Sequence, residues 1–430
     1  MEHLGLAALA AFILSFGLIS RRLESTSITG PMIFAAFGVI AGPALLGILE
    51  LDVESEVVNG LAEATLVLVL FADAARIDLK ILRKNFQTPG RLLGIGLPLT
   101  MLLGAGVALL LFESLSIWEA ALVAVILAPT DAALGQAVVS SPKVPVRIRQ
   151  ALNVESGLND GMCVPFVMIL IALASGDSSQ PAEYWLSYAA GQLLLGPAAG
   201  IVVGYLGGRL VSLGFRTKWM SHAFLQLSSL AVALLAFSAA EMIGGNGFIA
   251  AFVAGLTLGN TSRDVCEDMM EFAETEGQLL GLLAFLAFGA ANIVPAIQGV
   301  DGPVLLYAVL SLTVIRMLPV AVSLLGTGFR LPTYAFLGWF GPRGLASILY
   351  VLMALRAEEI AGREDIFAIV VATVLLSVFA HGFSAVPGAS WYAEHSERRM
   401  AVDPQCAEGR MVEEIPVRLP FRGSRSTVDT

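Results

Sequence analysis

The feature that most constrains this chain is a series of about thirteen apolar stretches, most of them long enough to cross a lipid bilayer. Inside the hydrocarbon core every backbone N–H and C=O must be bonded within the protein, and an α-helix satisfies them within one segment. The sequence therefore predicts an all-α polytopic membrane protein. The predicted spans, numbered 1 to 13, lie near residues 4–20, 28–50, 57–74, 88–112, 117–139, 147–174, 184–214, 220–242, 245–260, 272–294, 302–326, 332–355 and 364–390.

The composition excludes several other classes of protein. Only 14% of the residues are charged and 57% are hydrophobic, whereas soluble domains carry about 25% charged residues. A net charge of −10 argues against a nucleic-acid partner, which would favour a basic patch. The three scattered cysteines suggest neither a disulfide framework nor a bound metal. We expect no resident cofactor and no enzyme activity.

The basic residues predict the orientation of the spans. Lys and Arg collect in cytoplasmic loops, and here most of them alternate along the chain as expected for an N-terminus outside and thirteen crossings. The exception is the predicted outside loop near Arg356 and Arg363, where acids are also present. The first stretch is followed by Arg21 and Arg22, so we interpret it as a retained span rather than a cleaved signal. From Trp391 onward the chain is polar, which predicts a flexible cytoplasmic tail.

Five ionisable side chains lie at mid-depth in predicted spans. They are Asp131 in span 5, Glu155 and Asp160 in span 6, Arg316 in span 11 and Arg343 in span 12. A charge at the bilayer centre costs at least ~2.5–3.5 kcal/mol on insertion scales, so such residues usually pair with one another or mark an ion pathway. This pattern predicts a transport protein that binds an ion or a proton.

Span 5 carries a predicted break at Pro129-Thr130-Asp131. Proline removes a backbone donor, and Thr-Asp directly after it can cap a new half-helix. Half-helix ends at the bilayer midplane offer carbonyl oxygens and dipole charge to ions. The alternative is a proline kink whose aspartate only caps the helix.

Span 6 carries two pairs of polar residues, and the members of each pair lie one helical turn apart; we call each pair a polar lane. Glu155 and Asn159 share one face of the helix, and Ser156 and Asp160 share the adjacent face. One lane is suited to a buried arginine, with Arg316 as the expected partner of Glu155, and the other to a cation. The alternative is a purely structural polar seam.

Span 12 carries a second predicted break at Gly341-Pro342-Arg343-Gly344, seven spans after the first. A shift by an odd number of spans reverses orientation, so the two breaks occupy corresponding positions of inverted halves, a pattern typical of transporters with a midplane site. Arg343 is suited to offset the negative end of a half-helix. A structural role, holding the site without binding the ion, is the alternative for both arginines.

Two further features favour packing over function. Gly200, Gly204 and Gly208 repeat every four residues in span 7, which allows another helix to approach closely, whether within the chain or in a dimer. His381 in span 13 is interpreted as a residue that hydrogen-bonds to a neighbour; the alternative is a functional role in relaying protons.

The three motifs Pro-Thr-Asp at 129–131, Glu-Ser-Gly-Leu-Asn-Asp at 155–160 and Gly-Pro-Arg-Gly at 341–344 resemble the monovalent cation–proton antiporter family. The Asn-Asp pair is similar to its electroneutral branch, which includes the NhaP-type bacterial sodium/proton antiporters and the animal exchangers. The resemblance covers about residues 4–390. The long regulatory tail of the animal members is absent, so their tail-based regulation is not expected here.

The resemblance implies roles for particular residues. Asp160 corresponds to the ion-binding aspartate and Asp131 to the aspartate of the unwound helix, so these two would contact the transported Na⁺. Thr130 and Ser156 would supply supporting oxygens. The structural carboxylate corresponds to Glu155, and its buried partner is expected to be Arg316, with Arg343 second.

The resemblance also implies thirteen helices in two inverted six-helix repeats and a homodimer in the cell membrane. Residues 1–75 would form scaffold helices 1–3, and 76–175 core helices 4–6. Residues 176–300 would hold linker helix 7 and scaffold helices 8–10, 301–390 core helices 11–13, and 391–430 the cytoplasmic tail.

The sequence thus favours a secondary transporter that exchanges a monovalent cation, Na⁺ first, for H⁺ by alternating access, with a role in pH homeostasis. One-for-one, electroneutral exchange is expected because Asn159 stands where electrogenic relatives carry a second aspartate. A K⁺/H⁺ antiporter or a cation channel is the alternative. An intramembrane aspartyl protease with Asp131 and Asp160 as its dyad is more remote, since the Gly-x-Gly-Asp arrangement of that class is missing.

Overall fold

The computed structural model describes residues 2–23, 26–49, 56–131, 134–139, 141–176, 182–357, 359–403, 406–409 and 412. Throughout these residues the regular structure is helical, so the predicted all-α fold is confirmed. The α-helices are α1 Glu2–Leu23, α2 Gly30–Ala41, α3 Glu56–Ala75, α4 Leu79–Asn85, α5 Gln87–Arg91, α6 Leu97–Leu111, α7 Ile117–Ile126, α8 Gln136–Val139, α9 Val146–Ala174, α10 Ala182–Arg216, α11 His222–Met242, α12 Gly247–Thr261, α13 Arg263–Ala287, α14 Val294–Gln298, α15 Gly302–Leu312, α16 Val314–Ser323, α17 Leu331–Trp339, α18 Leu345–Leu355 and α19 Arg363–Val402.

Several of these helices have the length and composition needed to cross a bilayer, as the sequence predicts for a polytopic protein. Among the described residues, eight helical stretches meet both conditions, and they are His3–Leu23, Gln87–Leu111, Val146–Ala174, Ala190–Arg216, His222–Met242, Arg263–Gln298, Gly302–Ser323 and Arg363–Val402. Shorter apolar helices occur at Gly30–Ala41, Ile117–Ile126, Gly247–Thr261 and Leu345–Leu355. Two of these four are halves of the spans in which breaks were predicted.

Both predicted breaks are confirmed. Span 5 divides into α7 and α8, with Leu127 to Asp131 outside either helix, and span 12 divides into α17 and α18 around Phe340 to Gly344. Span 11 has a further interruption that the sequence analysis missed. There α15 ends at Leu312 and α16 begins at Val314, with Thr313 between them at φ −110° and ψ −94°.

The glycine repeat of span 7 packs within the chain. A Cβ atom on Gly204 would lie 2.5 Å from the carbonyl oxygen of Ala254 in α12, and one on Gly200 would lie 2.5 Å from that of Ala250. No side chain fits at either position, so the two helices approach backbone to backbone. The packing interpretation of this repeat is therefore confirmed.

The expectation of a flexible tail from Trp391 is wrong for the residues that follow directly. Helix α19 continues to Val402. Beyond it, Glu408 is 2% exposed, forms an ion pair with Arg399 at 3.1 Å, and accepts a hydrogen bond from Thr333 at 2.9 Å. The polar residues up to Val402 therefore belong to a helix, and Glu408 beyond it is held by contacts with α19 and α17. Composition alone does not reveal these contacts. Residues 404–405, 410–411 and 413–430 of the predicted tail lie outside the described residues.

Candidate functional site: a crossing of two broken helices

The two breaks meet each other at the backbone. The N–H of Asp131 donates to the carbonyl oxygen of Pro342 at 2.8 Å, which joins the interruption of span 5 to that of span 12. Proline accounts for both interruptions, since Pro129 and Pro342 each lack a backbone donor. The crossing places half-helix ends of both spans together, and α9 packs against α7 beside it.

Each break carries a charge that faces the helix end of the other span. Arg343 Nη1 donates to the carbonyl oxygens of Ala128 at 3.0 Å and Pro129 at 3.3 Å, just past the C-terminus of α7. Asp131 Oδ2 accepts from the N–H of Leu345 at 3.0 Å, at the N-terminus of α18. Cations stabilise helix C-termini and anions stabilise helix N-termini. The two charges therefore offset the two exposed dipole ends crosswise.

This exchange between the two spans goes beyond the sequence prediction. The sequence placed the Asp131 cap on the second half of its own span and gave Arg343 only a generic role at a half-helix end. Neither prediction identified the other broken span as the partner. The separation of 214 residues between Asp131 and Leu345 leaves no local signal for the contact.

Gly344 is required by this contact. A Cβ atom there would lie 2.2 Å from Asp131 Oδ2. Any side chain would occupy the space of the carboxylate that caps α18, so the glycine after Arg343 allows the aspartate to reach the helix end.

The polar lanes of α9 contact the crossing at Thr130. Asn159 Nδ2 donates to Thr130 Oγ1 at 2.8 Å, and Ser156 Oγ donates to the carbonyl oxygen of Thr130. Asp160 is the next residue along α9 and is partly exposed. The structure thus brings Ser156, Asn159 and Thr130 into direct contact and places Asp160 in the adjoining position of the same helix turn.

A small cavity opens at this point. Its volume is about 10 Å³, close to the minimum that holds one water molecule. Three of the predicted site residues line it together with six others, and the complete lining is Thr130, Asp131, Gly135, Val138, Val139, Leu152, Ser156, Phe340 and Pro342. Asp160 is not among the lining residues.

The other lane of α9 forms the expected buried ion pair. Arg316 Nη1 and Nη2 donate to the two carboxylate oxygens of Glu155 at 2.6 and 2.9 Å, and both side chains are 1% exposed. This pairing confirms Arg316, rather than Arg343, as the partner of Glu155. The two-pronged geometry is the strongest that a guanidinium and a carboxylate form.

Two residues of α19 hold the second break, and sequence reasoning gave them little weight. Ser377 Oγ accepts from the N–H of Arg343 at 2.7 Å, and His381 Nε2 lies 2.8 Å from the carbonyl oxygen of Trp339. Ser377 and His381 also contact each other at 3.1 Å. Their spacing of four residues, on one face of the mostly apolar middle of α19, is the signal that could have identified them.

Comparison with known proteins agrees with this architecture. The family model for the transmembrane region of sodium/hydrogen exchangers matches residues 8–391. A K(+)/H(+) antiporter, NhaP, of Alkalimonas amylolytica is 27% identical over 400 residues, which cover 91% of this chain and 67% of that protein. A Na(+)/H(+) antiporter of Schizosaccharomyces pombe is 26% identical over 423 residues, covering 89% of each chain.

A solved structure shares the fold. The sodium proton antiporter MjNhaP1 from Methanocaldococcus jannaschii, at pH 8, superposes with a TM-score of 0.74 at 20% sequence identity, covering 91% of this chain and all of that one. The match of the family model to residues 8–391, most of the chain, shows that this protein belongs to the sodium/hydrogen exchanger family of membrane antiporters.

Proposed function

We propose that this protein exchanges one monovalent cation for one proton by alternating access, with Asp160 as the carboxylate that binds either of them. Asp131, Thr130 and Ser156 would supply further oxygens. The observation that carries the proposal is the set of bonds from Ser156 and Asn159 to Thr130. These bonds hold the Asp160 turn of α9 against the crossing of the two broken helices.

The charges of the site favour competition between a cation and a proton. Asp131, Glu155 and Asp160 carry three potential negative charges, and Arg316 and Arg343 carry two positive charges, which leaves one net negative charge. A single Na⁺, K⁺ or H⁺ neutralises it. Uncompensated charge deep in a membrane is costly. The site would therefore change its access from one side of the membrane to the other only when a cation or a proton is bound, and this requirement couples the cation flux to the proton flux.

Sodium is our first choice of cation, and potassium is the second. The relative from S. pombe is named a Na(+)/H(+) antiporter and MjNhaP1 a sodium proton antiporter. The relative from A. amylolytica is named a K(+)/H(+) antiporter, which keeps potassium in the proposal. The experiment below therefore compares both cations.

The proposed function is tested by flux into liposomes. Purified protein is reconstituted with a pH dye inside, and Na⁺, K⁺ or Li⁺ is added outside. We expect the cation to move protons, and we expect Asp160→Asn to abolish this movement in a protein that still inserts and folds. Glu364→Gln is the matched control, because Glu364 is an exposed carboxylate at the start of α19. Flux by Asp160→Asn equal to that of the wild type would remove Asp160 from the mechanism.

We further propose that the exchange is electroneutral. In the structure Asn159 donates its amide to Thr130, so this position supplies no second titrating carboxylate. One cation then replaces one proton, and no net charge crosses. Liposomes with balanced sodium and proton gradients and a potassium potential set by valinomycin test this point. Sustained proton movement that the potential drives and that Asp160→Asn removes would show an electrogenic cycle.

The same measurements separate antiport from the alternative functions. A cation channel would pass cations without moving protons against their gradient. A protease would leave no cation-dependent proton flux to measure.

The setting of the protein is also a proposal. We place it in the cell membrane with the N-terminus outside and the tail in the cytoplasm, because most of the basic residues lie in alternate loops. We propose a homodimer with scaffold helices at the contact. Helix α1 has an apolar face suited to such a contact, since Leu6, Leu14 and Leu18 are 67%, 66% and 79% exposed. Lipid would cover any part of this face that a second copy does not.

A further inference from the structure

We infer that Tyr350 is a positioning residue that sets the place of Asp160 relative to the other oxygens of the site, acting through the Asp160 backbone. This inference rests on the proposed function, because it assigns Tyr350 a role in cation binding at Asp160.

Tyr350 forms a buried hydrogen bond with the backbone of Asp160. Tyr350 lies in α18 and is 0% exposed. Its hydroxyl donates to the carbonyl oxygen of Asp160 at 2.7 Å, the usual length for a bond of this type. The bond joins the second half of broken span 12 to the middle of α9.

Helix α9 has a local reason to need such a bond. Pro165 lies inside the helix, and because proline has no N–H, the carbonyl of Gly161 loses its donor within the helix. Spanning helices tolerate an interior proline when side chains of neighbouring helices bond to the loosened backbone. The Tyr350 hydroxyl donates to the carbonyl immediately before that of Gly161, so it steadies the turn in which Asp160 lies.

The same half-helix also holds the other site aspartate. The N–H of Leu345, at the start of α18, donates to Asp131 Oδ2. Five residues later Tyr350 binds the backbone of Asp160. Helix α18 therefore bonds to both Asp131 and the backbone of Asp160, and it fixes the distance and direction between these two residues.

The opposite side of the Asp160 turn is held by a different span. Ser156 and Asn159 bond to Thr130 at the break of span 5. Without the Tyr350 bond these contacts would remain, but the turn would be free to shift relative to α18. A cation that needs oxygens from both spans would then bind less tightly, while the rate of the loaded carrier would change little.

The test is Tyr350→Phe, with Tyr307→Phe as the matched control. Tyr307 is also buried in the helical interior, and its hydroxyl donates to a backbone carbonyl, that of Gly104, at 3.3 Å. For Tyr350→Phe we expect the apparent KM for the transported cation to rise about three- to tenfold, the range that one hydrogen bond contributes. The maximal rate should stay within about twofold, as expected for a change in cation binding. Tyr307→Phe should leave both values unchanged.

A second variant separates positioning from general stability. Pro165→Ala returns a backbone donor to α9, so Tyr350→Phe should raise KM less in that background than in the wild type. The inference is overturned by an unchanged KM in Tyr350→Phe, by an equal rise in Tyr307→Phe, or by an effect that Pro165→Ala does not reduce.

The proposed function and this inference fail in distinguishable ways. If wild-type protein moves no protons in response to any alkali cation, the function itself is wrong. If wild-type protein exchanges, Asp160→Asn abolishes exchange, and Tyr350→Phe behaves as the wild type, only the role of Tyr350 is wrong.

Discussion

The buried pair of Glu155 and Arg316 gives the most quantitative prediction. Both side chains are 1% exposed and share two hydrogen bonds of 2.6 and 2.9 Å. Removing one member leaves the other charge buried and uncompensated, which costs ~3–5 kcal/mol. Glu155→Gln and Arg316→Met should each lower the free energy of unfolding by that amount. The double variant should cost less than the sum of the two by at least about 2 kcal/mol, because neither charge then remains.

The measurement is a double-mutant cycle in mixed micelles of a mild detergent and SDS, with the helical signal followed as SDS is increased. The control cycle combines Glu155→Gln with Arg343→Met. Arg343 bonds to the carbonyl oxygens of Ala128 and Pro129, so its coupling to Glu155 should be the smaller of the two. Additive losses in the Arg316 cycle, or stronger coupling in the Arg343 cycle, would refute the assignment of the pair.

Two further predictions follow from backbone positions and loop charges. Gly344→Ala should abolish exchange, because its Cβ would lie 2.2 Å from Asp131 Oδ2. Gly94→Ala is the control and should be tolerated, because no atom lies within 4 Å of the added Cβ. Equal flux in the two variants would contradict the steric argument. Burial alone would raise the pKa of Asp78, but two backbone N–H groups of α4 and the Arg263 guanidinium lower it below its ordinary value. The stability that Asp78 contributes should therefore be complete above its unfolded-state pKa and be lost as the pH falls through the folded-state pKa, and heat-inactivation curves of Asp78→Asn should lack this loss at acidic pH.

The sequence predicted those features whose cause is local. Pro129 and the Gly-Pro-Arg-Gly segment interrupt their helices because of backbone chemistry that acts within one turn. The pairing of Glu155 with Arg316 could also be predicted, because a carboxylate and a guanidinium at similar depth in apolar helices have few other ways to compensate their charges.

The features that sequence reasoning missed depend on contacts between distant segments. Asp131 caps α18, which belongs to the other broken span, because the two breaks cross, and the crossing is set by the packing of whole helices. Nothing in the sequence distinguishes Tyr350 from another tyrosine on an apolar helix face. Its role depends on the Asp160 carbonyl oxygen, which lies 2.7 Å from its hydroxyl in the structure. The order of α19 beyond Trp391 likewise depends on distant partners such as Thr333, whose hydroxyl lies 3.0 Å from that of Tyr392.

The crossing also explains why Arg343 and Asp131, which carry opposite charges, bond mainly to backbone groups of the other broken span rather than to each other. Arg343 compensates the C-terminal carbonyls of the span 5 half-helix, and Asp131 compensates the N-terminus of the span 12 half-helix. Each broken span therefore depends on a charge that the other supplies, and loss of either charge leaves a helix dipole end uncompensated in a medium with little screening. A movement that pulled the two breaks apart would expose both ends at once. We therefore expect the crossing to move as one body, so that a cation bound at Thr130 and Asp131 would stay in contact with both broken spans during transport.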